Sequence, residues 1–77
     1  VARRDKILRT LVLAKFVVTM KTGETFEGLL QTFDESTLVL VRADAVTVTT
    51  TAETRIPVDG ALYIARSDIA YMQRVGA

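Results

Sequence analysis

Between Lys21 and Leu40 the chain reads KTGETFEGLLQTFDESTLVL, and this stretch constrains the fold more than any other. Its apolar residues follow a period of two, which places alternate side chains on opposite faces of a strand. Just before it, Phe16, Val18 and Met20 alternate with Val17, Thr19 and Lys21. Thr22-Gly23 then supplies a tight turn, because glycine accepts positive φ without steric cost. Phe26, Gly28 and Leu30 continue one face of a second strand. Gly28 weakens a strand unless it permits a bend or a close backbone approach. Phe33 follows Leu30 by three positions, off the period, so a bend or bulge is expected between them. Asp34-Glu35-Ser36 turns the chain, and Leu38 to Val41 is an apolar run expected to be buried on both sides.

The rest of the chain continues this pattern. Strand character resumes from Val46 to about Thr50, and the β-branched run VTVTTTAET reads as a projecting hairpin kept soluble by its threonines. Arg55 to Val58 is extended, and Pro57 marks an edge, a bulge or a strand start because it has no N–H to donate. Asp59-Gly60 permits a kink. Ala61 to Ala65 reads as the fourth strand and Ile69 to Val75 as the fifth, joined by the polar connection Arg66-Ser67-Asp68. Ahead of the strands, Ile7, Leu8 and Leu11 fall on one side of a short helix over about 5–14, which is expected to pack across an open end of the sheet. The fold class is therefore all-β with a short N-terminal helix: a five-stranded, strongly bent, antiparallel SH3-like barrel. It forms one domain over 1–77, with the barrel at about 16–75.

A chain of 77 residues buries little apolar surface, and domains this small usually rely on disulfides, a metal or partners. With no cysteine and no histidine, disulfides and the common zinc and iron–sulfur ligand sets are excluded. The same absence removes Ser–His, Cys–His and histidine acid–base chemistry. No carboxylate pair or lysine stands in a catalytic context, so neither an enzyme nor a cofactor is expected. Hydrophobic residues make up 49% of the chain, generous for so small an interior, and association would hide the surplus. An open barrel has two free strand edges; if they match, identical subunits pair head to tail and close a ring. No apolar run approaches the length of a membrane span, and nothing reads as a secretory signal, so a cytoplasmic location is expected.

Charge is unevenly spread. From Val1 to Lys21 six cations accompany one carboxylate, a net +5; from Thr22 onward four arginines accompany eight carboxylates, a net −4. Arg3, Arg4, Lys6 and Arg9 could thus form an anion-binding arm or simply a solvated helix face.

The residues resemble the Sm-like family nearly end to end, and the archaeal and eukaryotic pattern more than the bacterial RNA-chaperone branch. The first Sm motif is matched by Lys21, Gly23, Gly28, Leu30, Phe33, Asp34, Leu38 and Leu40. The second, Ile-Arg-Gly-x-Asn-Ile, is matched weakly by Ile64-Ala65-Arg66-Ser67-Asp68-Ile69. The resemblance implies a homo-oligomeric ring of five to eight subunits that binds single-stranded, uridine-rich RNA at its inner rim, as a non-enzymatic ribonucleoprotein component. It places the RNA-binding residues at Asp34, Ser36, Thr37, Arg66, Ser67 and Asp68.

This chain departs from the family at those positions. The loop 34–37 is one residue short, lacks an aromatic to stack on a base, and carries Thr37 where asparagine is usual. Ala65 and Arg66 replace Arg-Gly, and Asp68 replaces asparagine. Base stacking contributes about 1–3 kcal/mol per base, so its loss weakens or broadens RNA recognition. Asp34 reads as a cap for its own loop ahead of an RNA contact, and Arg66 as either an RNA contact or an inter-subunit ion pair. Tyr63 and Tyr71, on strands, read as core or interface residues. The alternatives to RNA binding are a ring that serves as a scaffold for protein partners, and a generic SH3-like module.

Overall fold

A computed structural model of the chain describes residues 14–75. The helix expected over about 5–14, and with it Arg3, Arg4, Lys6 and Arg9, lies outside the described residues. Six strands follow in order: β1 (Lys15–Met20), β2 (Thr25–Phe33), β3 (Thr37–Val48), β4 (Glu53–Pro57), β5 (Leu62–Ala65) and β6 (Ile69–Arg74). All pairings are antiparallel, in one sheet of order β4-β3-β2-β1-β6, with β5 also paired to β3.

The strand count differs from the five expected. Residues 53–65 run along a single edge of β3 but in two pieces, β4 and β5. Between them Pro57 lacks an N–H and Gly60 takes φ +76°, so the ladder is interrupted, although the Val58 N–H still donates to the Ala43 carbonyl at 2.8 Å. Conversely, β3 is one long strand where the sequence suggested a break after Val41. It continues because Arg42 adopts φ +53° and absorbs a bulge. There Arg42 and Ala43 oppose Gly28 alone, between the pairs Leu29↔Val41 and Glu27↔Asp44.

Gly28 is required at this bend. A Cβ on it would lie 3.0 Å from both Cα and Cβ of Ala43 and 3.1 Å from the Val41 carbonyl oxygen. The second bend is the one expected before Phe33: Gln31 is the extra residue between Leu30↔Leu40 and Thr32↔Val39. These two bulges curl the sheet around one core of Phe16, Val18, Leu30, Leu38, Leu40, Ala43 and Ile64, with Met72 of β6 packed against it. Of the run expected to be buried on both sides, Leu38, Val39 and Leu40 are buried, while Val41 at its end is half-buried.

One buried charge stands out. Glu27, on the opposite face of β2 from Leu30, is only 6% exposed. Its carboxylate pairs with Arg55 of β4 and, at 3.4 Å, with Lys15 of β1. Arg55 also bonds Glu53 at 3.0 Å and approaches Asp44. The cluster therefore ties four strands together across the outer face. The Arg55 hydrogen bond holds the Glu27 carboxyl below the usual glutamate range, against the opposing effect of burial.

Candidate nucleic-acid interface

The residues singled out by the sequence fall on the 34–37 loop and the Arg66–Asp68 turn, and the fold brings these together. β5 pairs with β3 at Thr37↔Ala65, and the Arg66 N–H donates to the Ser36 carbonyl at 2.8 Å, so the end of β5 lies against the start of β3. From there Arg66 reaches back: its guanidinium donates to the Asp34 carbonyl at 2.6 Å and stands 5.9 Å from the centre of the Phe33 ring. That is within range of a cation–π contact.

The 34–37 loop is closed by Asp34. Its Oδ1 accepts from the Ser36 N–H at 2.9 Å and the Thr37 N–H at 2.7 Å, and its own N–H donates to the Thr37 carbonyl at 2.9 Å. Aspartate favours such turns because its short side chain reaches backbone donors two residues on. These backbone donors, chiefly Ser36 and then Thr37, hold the Asp34 carboxyl below the usual aspartate range. The Ser36 hydroxyl also donates to Asp34 at 3.3 Å and lies 3.4 Å from that of Thr37. The capping role thus accounts for the geometry of Asp34.

On the other side, Arg66–Asp68 form a short 3-10 turn. Ser67 and Asp68 are exposed. The Asp68 carbonyl accepts from the Lys21 N–H at 2.8 Å, which anchors the turn to the end of β1. The Ser36 and Thr37 hydroxyls, the Asp34 carboxylate and the Arg66 guanidinium thus lie together; hydroxyls and a guanidinium are groups able to bond base edges or phosphate. Among the described residues no group of three or more carboxylates could hold a metal ion, and no helix is long and apolar enough to cross a membrane.

Comparison with solved structures decides the fold. The chain is similar to a heptameric archaeal Sm protein whose structure bears on the eukaryotic snRNP core, with TM-score 0.72 at 15% identity over 92% of this chain and 98% of that one. The Sm protein SmAP1 of P. aerophilum, also a heptamer, matches with TM-score 0.73 at 15% identity over 95% of this chain and 93% of that one. The chain has the Sm fold. Neither family models nor curated proteins match it in sequence.

Within the Sm fold, the 34–37 loop and the 66–68 connection lie between strands as the sequence suggests, while two further residues take part in non-local contacts. Phe33 was read as the end of a bend, yet its ring lies beneath Arg66; its off-period position was the available signal. Glu27 carries no signal of its own in the sequence beyond a charge on β2. Its partner Arg55 lies 28 residues on, in a register that no local pattern reveals.

Proposed function

We propose that this chain is a non-enzymatic, cytoplasmic Sm-type protein whose copies close into a ring and bind single-stranded RNA at the rim built from 34–37 and 66–68. The observation that carries the reading is the joining of those two loops by Arg66, through the Ser36 and Asp34 carbonyls. Ser36 and Thr37 hydroxyls would meet base edges, Arg66 a base face or phosphate, and Ser67 and Asp68 the neighbouring nucleotide. With no aromatic in the 34–37 loop to stack on a base, binding is weak or relaxed in preference, with uridine-rich RNA the first candidate.

The ring is supported by the two open edges. Arg66 N–H to Ser36 sets the phase of the β3–β5 ladder, so Tyr63 and Ala65 point their backbone groups away from β3. Val75 N–H to the Lys15 carbonyl sets the phase of β1–β6, so Met72 and Arg74 point away from β1. Both edges carry an exposed tyrosine, Tyr63 and Tyr71. Pairing β5 of one copy with β6 of the next satisfies both, and five to eight copies close the ring, seven being the number in the two similar structures.

A second reading, a ring that serves as a scaffold for protein partners, is favoured by a specific feature. Two of the four charged groups of the loop pair are already engaged, Asp34 by its own loop amides and Arg66 by the Asp34 carbonyl. Fluorescence anisotropy with labelled oligo-U and oligo-A, over a series of salt concentrations, separates the readings. RNA binding weakens with salt, with a slope of about −0.7 per phosphate contacted, and Arg66→Ala lowers affinity. No binding at low salt leaves the scaffold, and an unchanged affinity in Arg66→Ala removes that residue from the site.

A further inference from the structure

The ring reading uses β5 and β6 and leaves the β4 part of the β4–β5 edge unoccupied. The β4–β5 edge runs from Glu53 to Ala65, whereas β6 offers only Ile69–Arg74. A neighbour's β6 set against β5 ends before it reaches β4. Beyond the pair Thr25↔Val46, moreover, β3 has no partner but β4, so the hairpin projects as a two-stranded ribbon.

Two hydrogen bonds fix which groups this edge presents. Thr49 N–H donates to the Ala52 carbonyl, and Val58 N–H to the Ala43 carbonyl, each at 2.8 Å. Both pairs continue the β3–β4 register of Val48↔Glu53 to Asp44↔Pro57. Bonded and non-bonded pairs alternate along an antiparallel ladder. Thr54 and Ile56 therefore bond β3, while the backbones of Glu53, Arg55 and Pro57 face outward. Donors stand at Glu53 and Arg55, and Pro57, without an N–H, ends the usable edge.

We propose that β4 pairs with β4 of a second copy of this chain, antiparallel about a two-fold axis through Thr54. In that register Glu53 of each copy lies opposite Arg55 of the other, and the two residues exchange both backbone hydrogen bonds. Opposite charges directly across a strand pair are favourable, and like charges unfavourable. The next register in either direction sets Glu53 against Glu53 or Arg55 against Arg55. Charge therefore selects the Thr54 axis over its neighbours, an isologous arrangement. Along Glu53–Ile56 the edge carries no lysine and no proline, two residues that ordinarily guard an open edge, and Pro57 closes only its far end. Each arriving Glu53 also joins the cluster in which Arg55 already pairs with Glu27 and Glu53 of its own chain. The pairing needs only the ribbon; that it joins two rings face to face rests on the ring reading.

The test is the particle mass of the full chain, by mass photometry and sedimentation velocity. Thr54→Lys sets cation against cation on the axis, while its partner across the ladder in its own chain is the exposed Thr47. Wild type and Thr54→Ser are expected to form particles of twice the ring mass, and Thr54→Lys particles of half that size with an unchanged circular dichroism spectrum. Should Thr54→Lys misfold, Glu53→Lys, which sets cation opposite cation at both pairs, is expected to halve the mass instead. A wild-type single ring, or a double ring that both lysine variants leave intact, overturns the proposal without touching the ring. A wild-type dimer that Thr54→Lys turns into monomer supports the ribbon pairing and removes the ring. A wild-type monomer removes both.

Discussion

Substituting the partners of the Glu27 cluster one at a time gives an inequality that follows from burial alone. Glu27 is 6% exposed, while the side chains of Lys15 and Arg55 are 52% and 40% exposed. Glu27→Gln removes the buried charge, and both cations can then turn to water. Its cost lies between the ~0.2–1 kcal/mol of an exposed pair and the ~3–5 kcal/mol of breaking a buried one. With partners about half exposed, about 1–2 kcal/mol is expected. Arg55→Met does the opposite: it leaves the carboxylate buried beside Lys15 alone, so it must cost more than Glu27→Gln. In the double variant the stranded charge is gone, and part of the loss returns. Urea unfolding at one fixed protein concentration measures all four stabilities, since assembly shifts apparent stability. Arg55→Met costing no more than Glu27→Gln, or purely additive effects in the double-mutant cycle, would refute the argument. The pH dependence has a definite sign. The folded-state pKa of Glu27 is depressed, so below the ordinary glutamate range, about 4.3, the unfolded chain binds more protons. The stabilisation is present above that range and is lost as pH falls through the folded pKa. Glu27→Gln therefore flattens the acid limb of the stability curve.

Three further outcomes are expected. Gly28→Ala forces a methyl to 3.0 Å from the Ala43 Cα, a backbone atom that side-chain trimming cannot move, and costs about 1–3 kcal/mol by thermal or urea unfolding; for the same reason Ala43→Gly does not rescue it. Arg42→Gly removes a side chain from a left-handed position at φ +53° and raises stability by about 0.5–1 kcal/mol, net of glycine's greater unfolded-state entropy; a loss of stability would show that the Arg42 side chain contributes more than its backbone costs. Asp34→Ala frees the Ser36 and Thr37 amides, so their hydrogen exchange accelerates while that of β1 stays unchanged; unchanged exchange at those two amides would mean the loop is held by other bonds.

Much of this fold can be read locally because its determinants are local. The spacing of Leu30 and Phe33 announces the Gln31 bulge, and Gly28 announces the close approach of β3. The Asp34 turn is written in a residue type whose reach suits it. What escaped the sequence is non-local. The polar interval Arg42–Asp44 interrupts the apolar pattern of β3 without interrupting the strand, because a bulge costs less than a break in the ladder. Glu27 has the outward phase of an exposed residue, and only the curl of the sheet and the arrival of Arg55 enclose it. At the candidate interface, residue types identified the loops, but their mutual bonding through Arg66 depends on β5 meeting β3.

The 3-10 turn that links β5 to β6 has a consequence for how such a chain can change over generations. Those strands are consecutive yet not paired with one another, and only Arg66–Asp68 separate the two outer edges of the sheet. The same residues hold the 34–37 loop through Arg66 and the end of β1 through the Asp68 carbonyl. An insertion or a substitution in this turn therefore shifts the loop and both edges at once. The surface that would meet a ligand and the surfaces that would meet neighbouring subunits share one hinge, and neither can drift while the other stays fixed.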